Sequence, residues 1–543
     1  MRRHQGTLLP EQILGDLPDE ADVVVVGAGA AGCVMAARIS QDADCRVLLL
    51  EAGSTTGLEP DARTPGAAMR LWTGATSWGD MSVPQPTLGG RRVALPQGRG
   101  LGGGSSVNGM AWFHGHPADY DGWQAGGAHG WAWKDVHPVF RAIEHSELGD
   151  AERHGCGGPM HVSRTRDASA LALSFVAAGA EIGLPVVDDF NGAERAGIGL
   201  LHANIDDGTR HSVVDGYLLP AAGRSNLTIR ARTLATSIVV EGGRASAVRC
   251  VDAQGVSHRI AARRSIVLTA GALRTPQLLM LSGIGMPSHL RQLGIDVVHD
   301  LPAVGSDLQD HPLVTTVWPV VDGSPLWSTV GEADLLAYRL LRRGPLASFT
   351  QATAKLRTQE DLPAPDIQLT LALTALDSAR QVYPEPAVTC SVSLLTPASR
   401  GAVRLASADP ADAPLVDPGY LTARSDHENL LDGLRLARRL FQGPSLTAAT
   451  GGQAIDPPAW DGDTLDTLIR DRGGSEWHPV GTCRMGTDSA AVVDSTTMQV
   501  NGVLGLHVAD ASVMPAIPRA NTHAPTIMIA ERAAQLIHDA GAR

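Results

Sequence analysis

Two short apolar runs flank a glycine-rich stretch near the start of the chain. Residues 22–26 and 46–50 consist mostly of valine and leucine, which favours buried strands. The residues between them begin with glycines and continue with small and apolar side chains, which is typical of a turn followed by a helix. The pattern predicts a strand, a turn, a helix and a second strand, and Glu51 directly follows that second strand.

The glycine spacing in the turn is typical of a dinucleotide site. The first glycine allows a tight turn, the second lets backbone approach a pyrophosphate, and the third lets helix and strand pack closely. The pyrophosphate binds at the helix N-terminus, and Glu51, 19 residues after the last glycine, is placed to bind the ribose. The alternative is an ordinary turn of a βαβ unit. The predicted contacts are Gly27, Ala28, Gly29, Ala30, Gly32, Glu51 and Ala52.

The following residues contain a second glycine cluster. Residues 53–98 are rich in Gly, Pro and Trp and predict extended loops, in which Trp72 and Trp78 are near enough to lie against a dinucleotide. Residues 98–112 combine glycines with Ser, Val and Asn, a composition that lets backbone approach a ligand. A phosphate nest or a mobile lid would explain this segment equally well on its own, but after a dinucleotide turn a second cofactor contact is favoured. Residues 265–269 then predict a strand, and residues 271–285 a turn and a short helix.

Composition narrows the class of protein. The 543 residues carry a net charge of −13 with a pI of about 5.8, which argues against nucleic-acid binding. The length suggests either three or four units or two large domains. Residues 1–20 lack the apolar run of a signal peptide, no segment has the length of a membrane span, and the six cysteines show no metal-binding spacing. We therefore expect a cytoplasmic enzyme with reduced thiols and no metal.

Five separated motifs resemble those of the glucose–methanol–choline (GMC) flavoprotein oxidoreductases. They are residues 98–121, 271–285, 304–311, 477–486 and 508–528. The resemblance implies a mixed α/β fold with a Rossmann-type FAD-binding domain and a substrate domain built on an antiparallel sheet covered by helices. The FAD domain would be discontinuous, with residues 1–160, 200–305 and 475–543, and the substrate domain would contain residues 161–199 and 306–474. Within the latter, residues 387–395 and 401–405 predict strands joined by a Pro/Ser turn, and residues 426–441 an amphipathic helix.

The resemblance also assigns chemistry to two histidines. His478 precedes a proline, which favours extended backbone, and in the family this histidine is the base that removes the substrate hydroxyl proton before hydride transfer to flavin N5. A neutral imidazole suits that role. His523 replaces the asparagine that many members have, and it would be either a hydrogen-bond partner for the substrate oxygen or a second base. The alternative for each is a structural histidine.

Further cofactor contacts follow from the same resemblance. The helix from Ala524, with Pro525 in its first turn, would point its N-terminus at the flavin. Val107 stands where some members have a histidine bonded to FAD, so the FAD should be non-covalent. The remaining predicted contacts are Trp78, Arg99, Gly103, Ser106, Asn108, Gly109, Met110, Ala111, Leu234, Ala270, Gly271, Trp477, Asp510, Ala511, Thr522 and Ala524.

The predicted activity is oxidation of a primary alcohol, including aromatic ones, to the aldehyde, with oxygen or a quinone-type compound as electron acceptor. Two alternatives remain open: non-redox chemistry like that of a hydroxynitrile lyase, and a non-catalytic flavin-binding protein. Residues 313–321 contain no carboxylate that could hold a quaternary ammonium, which argues mildly against choline. The acceptor, the exact alcohol and the oligomeric state are not readable from the sequence.

Overall fold

Two β-sheets carry the fold, and the computed structural model describes residues 15–375, 383 and 385–541. The ends of the predicted FAD domain at 1–14 and 542–543, and residues 376–382 and 384 of the predicted substrate domain, lie outside the described residues. The strands of the two sheets are, in chain order, β1 (Glu20–Val26), β2 (Val47–Leu50), β3 (Gly197–Leu200), β4 (Leu227–Arg230), β5 (Leu234–Glu241), β6 (Arg244–Val251), β7 (Ser257–Leu268), β8 (Pro312–Pro319), β9 (Ala352–Leu356), β10 (Ile367–Ala372), β11 (Ala387–Leu394), β12 (Gly474–Ser475) and β13 (Leu506–Val508).

The longer helices cover the faces of these sheets. The α-helices of seven or more residues are α1 (Ala30–Ile39), α2 (Pro117–Ala125), α3 (Trp133–Ile143), α4 (Ala170–Glu181), α5 (Gly271–Leu281), α6 (Glu332–Leu341), α7 (Arg424–Phe441), α8 (Pro444–Thr450), α9 (Gly462–Arg472) and α10 (His523–Gly541). Within the described residues, no helix combines the length and the apolar character that a membrane span requires.

The first sheet has a parallel centre. β1 pairs in parallel with β2 on one side and β7 on the other, β4 continues beyond β2, and β13 pairs with the end of β7. β5 and β6 add an antiparallel extension to the first half of β7. Because parallel strands end at one common edge, ligands of such sheets bind at that edge. The predicted strand–turn–helix–strand unit is confirmed as β1, α1 and β2.

The second sheet is antiparallel, in the order β12, β8, β11, β10, β9 and β3. Its apolar residues on one face pack against α7, which starts two residues before the predicted helix and ends where it was predicted to end. Each sheet has its own hydrophobic core, one around Val24 and Leu48 and the other around Trp318 and Phe441. The predicted mixed α/β fold is confirmed, whereas the domain boundaries stay a prediction.

One local prediction was wrong. Residues 53–98 contain several short helical turns, at Thr56–Leu58, Pro60–Arg63, Pro65–Leu71, Gly74–Thr76 and Pro86–Leu88, because prolines at the first positions of three of them favour a turn of helix. The strands predicted at 387–395 and 401–405 are confirmed, with the Pro/Ser segment between them, and they belong to different sheets. The first is β11, and the second, Gly401–Arg404, pairs with Ser306–Leu308 and Leu415–Asp417 in a separate small sheet.

Candidate active site

A cavity of about 890 Å³ lies between the carboxyl edge of the first sheet and the face of the second sheet that is turned away from α7. Residues just after β1, β2, β7 and β13 line one part of it, and side chains of β8 to β11 line another. The predicted site residues that line this cavity are Gly27, Gly29, Ala30, Glu51, Ala52, Trp78, Gly103, Asn108, Gly109, Met110, Ala111, Leu234, Ala270, Gly271, Trp477, His478, Asp510, Ala511, Thr522 and His523.

Five predicted contacts lie behind the cavity wall, namely Ala28, Gly32, Arg99, Ser106 and Ala524. Arg99 stacks on the ring of Trp78, with 4.7 Å between its guanidinium carbon and the ring centroid. Ser106 donates its hydroxyl to the carbonyl of Leu101 at 2.9 Å. Arg99 thus supports Trp78, which lines the cavity, and the cofactor contact assigned to the five residues stays a prediction.

The two glycine-rich segments pack directly against each other. A Cβ atom on Gly32 would lie 1.8 Å from the carbonyl oxygen of Gly27, so α1 can pack this closely on the turn only with glycine there. A Cβ on Gly103 would lie 2.7 Å from the Cα of Gly29. The N-cap of α1 is Gly29, which has no side chain to accept a hydrogen bond from the helix. The first-turn N–H groups of α1 therefore need another acceptor, which a bound phosphate would supply.

Glu51 holds the turn together from inside. Its carboxylate accepts the N–H of Ala28 at 2.8 Å and that of Gly53 at 2.7 Å. Burial raises the pKa of Glu51, against the lowering effect of these hydrogen bonds. Each carboxylate oxygen can accept a second hydrogen bond, so the predicted ribose contact remains compatible with this structural role.

A chain of hydrogen bonds determines which nitrogen of His478 is unprotonated. Nε2 of His311 lies 3.2 Å from the carbonyl oxygen of Leu395, which can only accept, so His311 carries its proton on Nε2. Its Nδ1 is then an acceptor, and it lies 3.0 Å from Nδ1 of His478. His478 therefore donates from Nδ1, and its Nε2, 3.1 Å from the amide nitrogen of Asn521, keeps the lone pair.

Asp310 fixes the backbone of the same histidine. Its carboxylate accepts the N–H of His478 at 2.8 Å, the hydroxyl of Tyr420 at 2.5 Å, and the hydroxyl of Ser475. Trp477, between Ser475 and His478, has a φ of 65°, a region that non-glycine residues rarely occupy. Strain of this kind persists only where neighbouring contacts impose it. We infer that these hydrogen bonds impose the direction of His478.

Burial keeps the imidazoles neutral. It lowers the pKa of His478 to about 3. For His523, burial and then the nearby Arg210 guanidinium lower the pKa to about 3. Burial also raises the pKa of Asp310 to about 6, although its hydrogen bonds oppose the rise. A neutral His478 with an unprotonated Nε2, which accepts the amide N–H of Asn521, has the protonation state that a general base requires.

The second predicted histidine has its own hydrogen-bond and ring contacts. His523 lines the same cavity, but its Nε2 lies 3.4 Å from the hydroxyl of Ser105, and its ring packs edge-on against Trp112, with the ring centroids 5.8 Å apart. Among the described residues, the histidine that hydrogen-bonds His478 is His311. Sequence reasoning noted the Asp310–His311 motif without giving it a role. The available signal was weak: His311 precedes a proline as His478 does, but His116 and His137 also precede prolines.

A buried polar cluster supports Trp112 from behind. The carboxylate of Glu144 accepts the Trp112 indole N–H at 2.5 Å and lies 2.5 Å from Nε2 of His114 and 3.0 Å from Nδ1 of His154. These three acid and imidazole groups are close enough to hold a metal ion. Because hydrogen bonds already satisfy both carboxylate oxygens of Glu144, these contacts are explained without a metal ion. Their effect at the cavity is to fix the ring that contacts His523.

Comparison with known proteins identifies the family. Profiles of the GMC oxidoreductases match residues 21–313 and 397–530. The chain belongs to the GMC oxidoreductase family. The resemblance seen in the five motifs is thereby confirmed, and members of this family are oxidoreductase enzymes that depend on FAD.

Similar proteins match over almost their whole length. This GMC oxidoreductase is 37% identical over 528 residues to the alcohol dehydrogenase (acceptor) of Pseudomonas putida, with 95% of each chain covered. It is 38% identical over 538 residues to the mitochondrial choline dehydrogenase of Homo sapiens, covering 96% of this chain and 90% of that one. A structure solved to study FAD modification in the formate oxidase of Aspergillus oryzae has a TM-score of 0.90 at 26% identity, covering 97% of this chain and 99% of that one.

The residues at the carboxyl edge fit FAD. The first-turn N–H groups of α1 are free for a pyrophosphate, the glycines leave room for it, and Glu51 is at the end of β2. The cavity volume is within the range of cofactor and ligand sites. The residues that would hold FAD in this GMC oxidoreductase are those of the two glycine-rich segments, with Glu51 and the residues after β7 and β13.

We expect Glu51→Ala to weaken FAD binding. Loss of one or two charge-assisted hydrogen bonds to the ribose should cost about 1.5–3 kcal/mol each. The measurement is the FAD dissociation constant of the apoprotein, by titration calorimetry. Because Glu51 also holds Ala28 and Gly53, the variant apoprotein should unfold at a lower temperature.

Glu152→Gln, at an exposed position, is the matched control and should bind FAD like the parent. An unchanged FAD dissociation constant in Glu51→Ala would show that Glu51 does not hold the ribose. A lower unfolding temperature with unchanged affinity would leave Glu51 with the structural role alone.

Proposed function

We propose that this protein oxidises a primary alcohol to the aldehyde, with His478 as the general base. The observation that carries the proposal is the hydrogen-bond chain from Leu395 through His311 to His478, which leaves Nε2 of His478 unprotonated beside the cavity. Its relatives include proteins named alcohol dehydrogenase and choline dehydrogenase, both enzymes of alcohol substrates. Aromatic alcohols are included in the proposed range.

The proposed step begins with a hydroxyl group placed at Nε2 of His478. The imidazole takes the hydroxyl proton, which raises the electron density on the oxygen and helps the neighbouring carbon to lose a hydride. His311 holds Nδ1 of His478, so the protonated imidazole stays in place with its second N–H directed at His311. FAD, when bound, supplies the hydride acceptor. General base catalysis of this kind contributes about 10²–10⁴-fold to the rate.

Three other features of the chain support the step. Asn521, 3.1 Å from Nε2 of His478, can orient the substrate oxygen together with His523. α10 begins at His523, beside the cavity, so its positive dipole end favours negative charge that develops there. His523 either positions the substrate oxygen or acts as a second base, and the proposal includes both roles. Oxygen and quinone-type compounds are the two proposed electron acceptors.

The non-redox alternative, a lyase on the same fold, would use the same histidine as acid and base. Anaerobic addition of an alcohol distinguishes the two hypotheses, because only hydride transfer bleaches the flavin absorbance. A panel of primary alcohols, assayed again with oxygen and with a quinone as acceptor, then tests substrate and acceptor separately. No bleaching with any alcohol of the panel would refute the proposed oxidation.

We also propose that the FAD is held without a covalent bond. Val107 occupies the position of the linking histidine of some family members, and its side chain packs with Ala62 and Leu71. Its carbonyl accepts the indole N–H of Trp72 at 2.9 Å. A valine side chain has no nucleophilic atom for such a bond.

Acid precipitation of the purified yellow protein should therefore release its FAD into the supernatant. The measurement is flavin absorbance in the supernatant and flavin fluorescence of the denatured chain after electrophoresis. Fluorescence that stays with the polypeptide would refute non-covalent binding.

We expect His478→Ala to lower the anaerobic rate of flavin reduction by about 10²–10⁴-fold. FAD content should change little, because the glycine-rich segments and Glu51 lie at another part of the cavity. His523→Asn should be milder, since asparagine keeps a hydrogen-bond donor, and His523→Ala should be slower than His523→Asn. Stopped-flow reduction without oxygen measures each rate independently of the acceptor.

The pH dependence provides the control for this assignment. Because burial lowers the pKa of His478 to about 3, the base form persists above that value and is lost only as the pH falls towards it. Protonation of His478 should therefore not lower the reduction rate of the parent near pH 6.5, the ordinary imidazole value, and any fall near pH 6 would report protonation of Asp310, whose pKa burial raises to about 6. If His478→Ala reduces its flavin as fast as the parent while His523→Ala does not, the two roles are reversed.

His311 should act as a positioning residue for His478. His311→Leu removes the acceptor for Nδ1 of His478, so the imidazole can rotate or change tautomer, and we expect the reduction rate to fall by about 10–100-fold, part of the general-base contribution. His311→Asn retains an oxygen acceptor near the position of Nδ1 and should recover most of that loss. The loss should be in the limiting rate at saturating alcohol, with little change in the apparent substrate affinity. Equal rates in His311→Leu and the parent would contradict this role.

A further inference from the structure

A carboxylate from an unexpected part of the chain faces the substrate side of the cavity. Glu476 lies two residues before His478 and lines the cavity with it. Its carboxylate accepts the hydroxyl of Ser393, a residue of β11. Residues 313–321 of β8 and the turn after it provide no acid, but the fold brings Glu476 to the neighbouring position through the pairing of β12 with β8.

Glu476 has no cationic partner among the described residues. Its only side-chain hydrogen bond there is the one with Ser393. The nearest lysine along the sheet, Lys355, donates to the carbonyl of Arg519 at 2.9 Å and lies 3.8 Å from the ring centroid of Phe113. Lys355 is opposite Gln368 in the sheet register, burial lowers the pKa of its amine to about 7, and its hydrogen bond goes to Arg519 and not to Glu476. Glu476 therefore retains capacity to accept hydrogen bonds.

An acceptor without a donor lies beside Glu476. Gln368 on β10 is directly opposite Ser393 in the sheet register, lines the cavity and is only 5% exposed. Its amide nitrogen donates to the hydroxyl of Thr370 at 3.2 Å, whereas its amide oxygen has no partner. A buried acceptor without a donor costs free energy, unless a ligand supplies that donor.

A row of hydroxyl side chains crosses the same sheet face. Thr315, Ser391, Thr370 and Thr353 lie side by side in register across β8, β11, β10 and β9, and all four line the cavity. Hydroxyl groups adapt as donors or acceptors, so they can solvate a polar substrate without opposing a positive charge. The wall therefore combines hydroxyl groups with the amide oxygen of Gln368, which lacks a donor, and the carboxylate of Glu476, which has a single hydroxyl donor.

We propose that Glu476 and Gln368 form a subsite for a protonated nitrogen that bears at least one hydrogen, so that the preferred substrates are alcohols with an ammonium group or a protonated ring nitrogen. This inference rests on the proposed alcohol oxidation and specifies its substrate class. The alcohol group would be at His478 and the cationic nitrogen at Glu476, on the same wall of the cavity.

Local electrostatics favour such a cation. Burial and the nearby carboxylate of Asp310 raise the pKa of Glu476, which means that its negative charge is destabilised in the free protein. A ligand cation would relieve both effects, by pairing with the charge and by offsetting the repulsion from Asp310. A neutral alcohol of the same shape gives no such compensation.

The test compares alcohols of matched shape on the holoenzyme. The pairs are 3-aminopropan-1-ol with butan-1-ol, and 4-(aminomethyl)benzyl alcohol with 4-ethylbenzyl alcohol. The measurement is the second-order rate constant of anaerobic flavin reduction. We expect the parent to prefer the ammonium alcohol of at least one pair by about 10–100-fold, the effect of a charge-assisted hydrogen bond.

Glu476→Gln should reduce this preference to near unity, and Gln368→Met should reduce it in part. Glu152→Gln, which removes an exposed charge, should keep the preference of the parent. Choline against 3,3-dimethylbutan-1-ol separates charge from hydrogen bonding, since choline has no N–H, and its preference should be smaller. Unfolding temperature and FAD content establish that each variant is folded.

A parent without preference for ammonium alcohols, or a preference that survives Glu476→Gln, would overturn the inference. 4-Methylbenzylamine has no hydroxyl group, so its binding does not depend on the proposed oxidation. Calorimetry of its binding therefore tests the subsite separately from the oxidation. Its affinity should fall at least tenfold in Glu476→Gln even if no alcohol bleaches the flavin. Equal affinity in the parent and Glu476→Gln would refute the subsite on its own.

Discussion

The carboxylate of Asp310 is the contact on which the arrangement of the site depends. It binds Ser475, the N–H of His478 and the hydroxyl of Tyr420, and so it joins three distant segments where the two sheets meet. Because it is buried, its charge is stable only while those donors are present. The same three bonds therefore fix the backbone of the base and hold the start of β8 against β12, so site geometry and sheet packing are coupled.

The sequence predicts those features whose cause is local. β1, α1 and β2 follow from valine and leucine runs around a glycine turn, and α7 follows from the spacing of its apolar residues. His478 could be predicted from its motif. The contact of His478 with His311 could not, since the two residues are 167 positions apart and neither carries a pattern that names its partner. Glu476 was missed for the same reason: its relation to Ser393 exists only through the pairing of β12, β8 and β11.

Burial has opposite consequences for the acids and the imidazoles of the site. It raises the pKa values of Asp310 and Glu476 and lowers those of His311 and His478, because a dry environment disfavours charge of either sign. Neutral imidazoles are what proton abstraction requires, so the cost of burying them is small. The acids need donors instead. Asp310 has its donors within the chain, whereas Glu476 has one hydroxyl, and this difference distinguishes a structural carboxylate from one with capacity left for a ligand.

The two sheets differ in how freely their cavity-lining residues can be substituted, and this limits where substrate specificity can change. The carboxyl edge of the first sheet is constrained by backbone contacts, since a single Cβ at Gly32 or Gly103 would meet backbone atoms. The cavity face of the second sheet is constrained mainly by register, because Thr315, Thr353 and Gln368 line the cavity on strands whose other face forms the core. Side chains on that face can vary without moving the strands. Glu476 belongs to neither sheet surface, because it lies on the segment that carries His478. An acid at this position places the site of charge recognition at a fixed distance from His478, whichever side chains the second sheet directs into the cavity.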